Sequence, residues 1–248
     1  MNINFRKKLV WTGLFVTGLA VLVLVYELIS TIGRTQIQVN IHQNKKLIYL
    51  STFAEPPQFA VWLEDPVTHH CVTVFVTHRV GIGDWEGKAN VPVALPHWYQ
   101  LFKLQGKKDN QDQKNTGKNF ADAVTGATPK GDFFSVREEV KSGSHWICWV
   151  EMNLAGDYND SYLQQNLESK EEDEFSNGQP ALLYRSDIIA NEGEKFEFVL
   201  FGESIWKDGE TSVESVSKGV TTAKEVFDKM EVEIIRPKPK LINWQKKR

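Results

Sequence analysis

Residues 59–77 read FAVWLEDPVTHHCVTVFVT, and this stretch decides the fold class. Its two ends, 59–64 and 71–77, are rich in β-branched and aromatic residues, which are typical of strands with a buried face. Asp65-Pro66 between them opens a turn. The stretch therefore predicts two neighbouring strands, joined as a hairpin or meander.

Similar segments recur through the rest of the chain. Residues 35–41, TQIQVNI, alternate polar and apolar side chains, which is the period of a strand with one buried face. Strand-like composition returns at residues 47–50, 133–140, 145–152, 181–186, 196–202 and 231–235. Many short strands with turn signals between them predict an all-β fold, a β-sandwich of the fibronectin or immunoglobulin kind.

Little helix is expected in this β-rich part. Thr222, followed by Glu225 at the capping-box spacing, predicts a short helix over 222–230 that runs into the last strand. Residues 163–167 suit another short helix, whereas Pro96-His97-Trp98 and the polar tract 106–119 are predicted to be loops. Strands and helices do not alternate, so a nucleotide-binding sheet is not expected.

The composition argues against nucleic acid as a partner and does not decide whether the two cysteines form a disulfide. The net charge is −3, and basic and acidic residues are interspersed, so there is no positive field to hold a nucleic acid. Cys71 and Cys148 form no metal-ligand pattern. A single disulfide and two separate buried thiols are both compatible with the sequence.

The N-terminal segment has the composition of a membrane anchor. Residues 9–26 carry no charge and are mostly apolar, which is close to the shortest run that crosses a bilayer. Basic residues 6–8 precede the run and Glu27 follows it, so the positive-inside rule places the N-terminus in the cytoplasm. A cleaved signal peptide is the alternative, but the run is long for one and no small-residue cleavage site follows it.

These features divide the chain into four predicted segments. Residues 1–8 are a cytoplasmic N-terminus and residues 9–29 a transmembrane helix. Residues 30–235 form an extracytosolic β-sandwich domain, and residues 236–248 a basic C-terminal arm. The predicted location is the cell inner membrane, crossed once, with the bulk of the chain on the periplasmic side.

The most specific local motif is DAVTGAT at residues 122–128. It resembles the D-x-x-[ST]-G-A-T pattern of proteins that carry FMN on the last threonine through a phosphodiester bond. The resemblance implies attachment at Thr128, small neighbours that let a flavin transferase close over the hydroxyl, and an aspartate that helps hold the transferase metal. The candidate cofactor-binding residues are Asp122, Thr125, Gly126, Ala127 and Thr128.

A structural turn is the alternative interpretation of the same motif. In a turn, Asp122 and Thr125 bond their own backbone and Gly126 takes a positive φ angle. Pro129-Lys130-Gly131 leads into the strand-like FFSV, whereas a flavin-carrying domain usually continues as a helix. Both interpretations stay open at this point.

A wider resemblance spans residues 59–235. The segments that carry it are AVWLED at 60–65, LPHW at 95–98, DAVTGATPKG at 122–131, WVEMNLAGDYNDSY at 149–162 and TTAKEV at 221–226. They look like a bacterial family of predicted periplasmic proteins of unknown function. Members are often encoded near PepSY-type membrane proteins and flavin-transferase systems, which implies envelope redox chemistry.

Three further patterns are typical of binding sites, and each also has a purely structural explanation. His69, His70, Cys71 and His78 suggest a metal, but histidines in solvent-facing turns are commoner. The segment 157–161, DYNDS, starts like a calcium loop, yet Tyr162 stands where an EF-hand needs glycine, which favours a polar turn. Most tryptophans are expected in the core, with Trp98 beside His97 as the exception. The tryptophans considered are Trp62, Trp85, Trp98, Trp146, Trp149 and Trp206.

The sequence thus predicts a binding or relay protein, since no catalytic motif indicates autonomous catalysis. The first hypothesis is an accessory or electron-transfer subunit of an envelope redox system, with covalent FMN on Thr128. The alternative is a non-catalytic interaction subunit of a larger membrane complex without a cofactor. The expected partners are an inner-membrane complex, including a PepSY-type membrane protein and a flavin transferase, and the membrane itself. A glycan-binding sandwich is a third hypothesis.

Overall fold

The computed structural model describes residues 3–82, 94–102, 125–165, 170, 172–173, 175–207 and 210–237. The helices are α1 (Ile3–Ser30), α2 (Lys45–Leu50) and α3 (His78–Ile82), with a further helical segment at 96–102 and a 3-10 turn at Thr222–Glu225. The strands are β1 (Arg34–Gln43), β2 (Gln58–Glu64), β3 (Cys71–Thr77), β4 (Thr125–Gly126), β5 (Phe133–Lys141), β6 (His145–Asn153), β7 (Ala181–Ile189), β8 (Lys195–Glu197), β9 (Val199–Lys207), β10 (Glu210–Glu214) and β11 (Phe227–Ile235).

The strands form two sheets. One is four-stranded with the order β5-β1-β11-β8, and the other is seven-stranded with the order β10-β9-β7-β6-β2-β3-β4. Neighbouring strands are antiparallel, apart from the short parallel pairing of β3 with β4. This confirms the predicted all-β class with two sheets, and it confirms the hairpin made by β2 and β3.

The main core lies between the two sheets. Alternate residues of β1, namely Ile37, Val39 and Ile41, are each 1% exposed, as the TQIQVNI pattern predicts. Phe59 of β2 faces them from the other sheet, and its ring touches Phe134 at a centroid distance of 5.1 Å. Burying such a side chain stabilises the fold by about 1.5–3 kcal/mol.

The seven-stranded sheet is buried on its outer face as well. Ala60 and Trp62 of β2 and Trp149 of β6 point away from the main core and form a second one. Leu95 and Trp98 lie over this second core. We call residues 94–102 the covering segment. Because both faces of β2 are buried, its residues form a continuous apolar run instead of an alternating one.

Residues 47–50 are helical, so the predicted strand there was wrong. Backbone N–H groups of Leu47 and Ile48 bond the carbonyl of Asn44, which closes one helical turn as α2. Ile48 packs into the main core, while Tyr49 and Leu50 are 67% and 80% exposed. Four residues with one buried position suit a helical turn better than a strand, which would bury every second side chain.

The predicted loop around Pro96 was also wrong, since residues 96–102 form a helical segment. Proline is favoured at the first position of a helix, where its missing N–H costs nothing. Trp98 is only 2% exposed, so the expectation that it is the exposed exception among the tryptophans is corrected. Its indole Nε1 donates to Thr73 Oγ1 at 3.1 Å, which satisfies its polar atom inside the second core.

The helix predicted to begin at Thr222 is a single 3-10 turn, and β11 already begins at Phe227. The capping box does not form, because the Thr222 hydroxyl donates to Asp157 Oδ1 at 2.6 Å instead of capping its own turn. Residues 163–165 are not helical, and residues 166–167 lie outside the described part of the chain. The predicted strand 196–202 is divided between β8 and β9, which belong to different sheets.

α1 makes a 28-residue helix before β1. Its described side chains are exposed, among them Trp11 at 73% and Phe15 at 72%. In the part of the chain that the structure describes, no helix reaches the length and apolarity that a membrane span requires.

The two thiols occupy different cores and form no disulfide. Cys148 lies in the core between the sheets and Cys71 in the second core. Burial raises the pKa of Cys71 to about 11 and the pKa of Cys148 further still. The structure therefore selects the two separate buried thiols, and neither has the thiolate character of a reactive cysteine.

Candidate functional site

The DAVTGAT motif enters the described structure at β4. Thr125 and Gly126 pair with Val76 and Thr77 of β3, while Asp122 and the Thr125 side chain lie outside the described structure. Gly126 does not take the positive φ angle expected of a turn. A Cβ atom there would lie 2.5 Å from Phe75 Cε2, so glycine is needed for close approach to that ring.

Thr128 lies in the loop between β4 and β5. It is half-buried, with the exposed Ala127 on one side and the half-buried Pro129 on the other. The chain continues into the strand β5, as expected from FFSV, and not into a helix. The residues on both sides of Thr128 are thus small or cyclic, and at least one of them is open to solvent.

Gln43, the last residue of β1, holds this loop in place. Its backbone N–H donates to the Asp132 carbonyl at 2.7 Å. Its side-chain amide donates to the carbonyls of Pro129 at 3.3 Å and Gly131 at 3.1 Å. Lys45 Nζ pairs with Asp132 Oδ1 at 2.5 Å. The loop is therefore fixed to a core strand, which is the usual way in which proteins position functional groups.

A cleft of about 220 Å³ opens beside the same loop. One part of its lining is the loop 129–131, and the rest comes from the chain between Gln43 and Pro56. The members of this second part are Gln43, Lys45, Ile48, Tyr49, Ala54, Glu55 and Pro56. We call this the Thr128 cleft, since the three loop residues that line it directly follow Thr128.

The Thr128 cleft has the mixed lining that small-molecule sites have. Ile48, Tyr49 and Pro56 offer apolar surface, whereas Lys45, Lys130 and Glu55 offer charges of both signs. The side-chain oxygen of Gln43 is buried and has no hydrogen-bond partner among the described residues. A threonine hydroxyl on a fixed loop, an adjoining cleft and nearby cations fit a phosphate-linked ring system such as FMN.

A second polar centre lies under the covering segment. Glu151 of β6 is completely buried, and its carboxylate accepts the backbone N–H groups of His97 at 3.0 Å and Trp98 at 2.7 Å. It therefore caps the first turn of the helical segment 96–102 from a neighbouring strand. Burial raises the pKa of Glu151 to about 7, against hydrogen bonds from Trp98, Ser204 and His97 that lower it.

A cluster of aromatic side chains lies close to Glu151. Trp62 and Trp149 stack at a centroid distance of 6.2 Å, and the His97 ring lies 5.9 Å from Trp62. Burial lowers the pKa of His97, partly offset by the Glu64 carboxylate. Arg185 lies over the Trp149 ring at 5.5 Å. These contacts tie the covering segment to the sheet through polar and aromatic groups together.

The structure does not gather His69, His70, Cys71 and His78 around one point. His69 Nδ1 lies 2.7 Å from Glu64 Oε1, in an exposed turn before β3. The Cys71 thiol lies in the second core, and His78 begins α3. Among the described residues, no three His, Cys, Asp or Glu side chains come together around one point.

The segment 157–161 is a polar turn that joins two parts of the fold. Asn159 Oδ1 accepts the backbone N–H groups of Ser161 and Tyr162, both at 2.9 Å. Asp157 accepts hydrogen bonds from Gln179 Nε2 at 2.8 Å and from the Thr222 hydroxyl. The carboxylate of Asp157 is thus occupied by protein donors, as in a structural turn.

The other tryptophans follow the expected pattern where they are described. Trp62 and Trp149 are 1% and 7% exposed, and Trp146 packs against the main core. Trp206 is half-buried against the Phe175 ring at 6.3 Å, and Trp85 lies outside the described residues. The tryptophans thus mainly stabilise the two cores.

Sequence reasoning missed Gln43, Lys45, Tyr49 and Glu151. The first three carry no motif and come close to the loop after Thr128 only through the fold. Glu151 did leave a signal, because it is the one charged residue in the apolar strand HWICWVEM. A charge at an inward position of a buried strand points to a special environment.

No family model, curated protein or solved structure matches the chain. The resemblance to a periplasmic family therefore stays a hypothesis based on sequence motifs.

Proposed function

We propose that this protein is a membrane-anchored, extracytosolic electron-transfer subunit of an envelope redox system that carries FMN on Thr128. The observation that carries the proposal is the position of Thr128 on a loop fixed by Gln43, beside a cleft with an apolar and charged lining. The sandwich is assigned to the fibronectin or immunoglobulin kind as part of the same proposal. The proposed partners are a PepSY-type membrane protein and a flavin transferase.

Attachment is a phosphoryl transfer at the Thr128 hydroxyl. Thr128 Oγ1 forms a bond to the flavin-side phosphorus of flavin adenine dinucleotide. The pyrophosphate P–O bond breaks, adenosine monophosphate leaves, and the hydroxyl proton passes to a base of the transferase. Once attached, the flavin supplies electron transfer, and the protein supplies position and electrostatics.

Thr128→Val is expected to abolish the attachment, because valine has the shape of threonine without the hydroxyl. The full-length protein is produced with its flavin transferase and analysed by intact mass and by flavin fluorescence in a denaturing gel. Wild type and Thr128→Ser should carry the adduct, since serine keeps the hydroxyl. A wild-type protein without adduct, or an adduct that survives Thr128→Val, contradicts the proposal.

α1 supports the proposed membrane anchor. Every side chain from residue 22 to residue 26 is exposed, and a helix turns once in about 3.6 residues, so no face of α1 is covered in this stretch. The side chains there are large and apolar, including Leu22 at 67% and Tyr26 at 71%. Apolar side chains exposed on every side of residues 22–26 need a covering environment, and the proposed environment is a bilayer.

Protease added to spheroplasts, whose outer membrane is opened and whose inner membrane is sealed, is expected to degrade the β-rich domain and to leave only a short fragment from the N-terminus. Deletion of residues 9–29 is expected to move the protein out of the membrane fraction, because the apolar segment is the proposed anchor. A cytoplasmic marker protein must stay intact as the control for sealed cells. A domain that remains protected would contradict the proposed orientation.

A cofactor-free interaction subunit is the second candidate function. It is favoured by the exposed apolar side chains on and after α2, namely Tyr49, Leu50 and Phe53, which are 67%, 80% and 46% exposed. Exposed apolar groups of this kind occur at protein interfaces. The intact-mass measurement separates the two candidates, since only the first requires an adduct.

A further inference from the structure

We infer that the Thr128 cleft is the resting site of the isoalloxazine ring of the flavin attached to Thr128. The inference rests on the proposed function, because it requires the covalent flavin. It adds residues that no flavinylation motif includes, chiefly Tyr49 and Lys130. It also implies that Lys130 affects the reduction potential of the flavin.

The cleft lies next to Thr128 along the chain. Residues 129–131 line the cleft and directly follow Thr128. The ribityl phosphate between the threonine and the ring has several rotatable bonds. A ring tethered at Thr128 therefore reaches the cleft at a high effective concentration, and even weak contacts suffice to hold it there.

The cleft is small. The cleft has a volume of about 220 Å³, below the roughly 300–1,000 Å³ of sites for whole drug-sized ligands. It suits a ring system better than a complete nucleotide. The tether leaves the ribityl phosphate outside, so the cleft has to accept only the ring.

Part of the cleft lining is apolar. Ile48, Tyr49 and Pro56 provide flat or apolar surface for the faces of an aromatic ring. Tyr49 is 67% exposed, although tyrosine is a large side chain with an apolar body. A flavin that stacks on Tyr49 would cover this surface.

The cleft lining also carries charged side chains. Lys45, Lys130 and Glu55 line the cleft, and Lys45 is already paired with Asp132 at 2.5 Å. Lys130 is exposed and follows Thr128 by two positions. The Lys130 cation favours the negative charge that reduction leaves on the flavin, so it raises the reduction potential relative to a protein without it, whereas Glu55 acts in the opposite direction.

Fluorescence of the flavin-loaded full-length protein tests the ring position. Tyrosine in contact with a flavin quenches its emission, so Tyr49→Leu is expected to raise emission several-fold and to lower its anisotropy. Tyr49 is largely exposed, and the variant should therefore fold. Phe201→Leu is the matched control, since Phe201 is a 49% exposed aromatic residue on β9, outside the cleft lining.

The potential of the bound flavin tests the charge. Lys130→Gln is expected to lower the midpoint potential relative to wild type, and Lys130→Arg to keep it. Equal potentials in all three proteins, or equal emission in wild type and Tyr49→Leu, would overturn the inference while the adduct on Thr128 remains. Absence of the adduct itself would instead remove the proposed function.

Discussion

Glu151→Gln is expected to abolish a pH dependence of stability: in the wild type, the free energy of unfolding falls by about 3 kcal/mol as the pH rises from roughly 4.5 to 7. The carboxyl is completely buried, and burial raises its pKa from 4.5 to about 7. Between these two values the folded protein holds a proton that the unfolded chain has released. Stability therefore falls as the pH rises through this window and is level above it.

His97 acts in the opposite direction and must be separated from Glu151. Its pKa is lowered by burial, so the unfolded chain binds a proton more readily than the folded one. This contribution lowers stability as the pH falls below 6.5. It is present in wild type and in Glu151→Gln alike, and it cancels in the difference between their unfolding free energies.

The measurement is chemical denaturation of both full-length proteins in detergent at several pH values, followed by tryptophan emission. Ser204→Ala is the control, because it removes a hydrogen bond to Glu151 and keeps the carboxyl. The free energy of unfolding of Ser204→Ala should be about 1 kcal/mol lower than that of the wild type, with the same dependence on pH. Parallel curves for wild type and Glu151→Gln would show that the buried carboxyl does not titrate as described.

Gly178→Ala is expected to lower the free energy of unfolding by roughly 3–5 kcal/mol, because the left-handed backbone and a steric collision both destabilise the variant. Gly178 has φ +69°, and a Cβ atom there would lie 2.6 Å from the carbonyl oxygen of Asp157. Backbone atoms cannot rotate away as the end of a side chain does. The same substitution would separate Asp157 from Gln179, which bonds it at 2.8 Å.

Gly193→Ala is the matched control for this substitution. Gly193 has φ +89°, but nothing lies within 4 Å of its added Cβ atom. Only the cost of the left-handed conformation, about 1–2 kcal/mol, applies there. Equal losses in thermal or chemical unfolding of the two variants would contradict the predicted collision at Gly178.

The Gly178 region also supports the Thr128 cleft. The Gly156 carbonyl accepts the backbone N–H of Thr52 at 3.0 Å, and the Gly156 N–H donates to Ser176 at 2.8 Å. The chain just after Thr52 contributes Ala54, Glu55 and Pro56 to the cleft lining. Distortion at Gly178 is therefore expected to reach the cleft through this turn.

The local sequence pattern predicted several strands correctly, but it predicted a strand at residues 47–50, which are helical. β1, β3 and β6 begin and end close to the predicted positions, because side-chain alternation and β-branched residues act within a few positions of each other. Residues 47–50 have the composition of a strand but follow the helical turn at Asn44. Tertiary packing of Ile48 overrode the weak local preference there.

The sequence predicted the Thr128 part of the candidate site but not the residues that line the cleft beside it. Thr128 is visible in the sequence because a motif is a contiguous string. Tyr49 and Lys45 are far from Thr128 along the chain, and they meet its loop only because Gln43 at the end of β1 binds that loop. A contact of this kind leaves no local pattern.

The sequence by itself determined the β class, the apolar N-terminal segment and the turn chemistry, because these depend on neighbouring residues. The tertiary structure decided which faces of the strands are buried and which groups share a site. Glu151 and His97 are 54 positions apart, and only packing brings the carboxylate to the N–H. Desolvation then raises the pKa of Glu151, and burial of this kind is a property of the assembled fold.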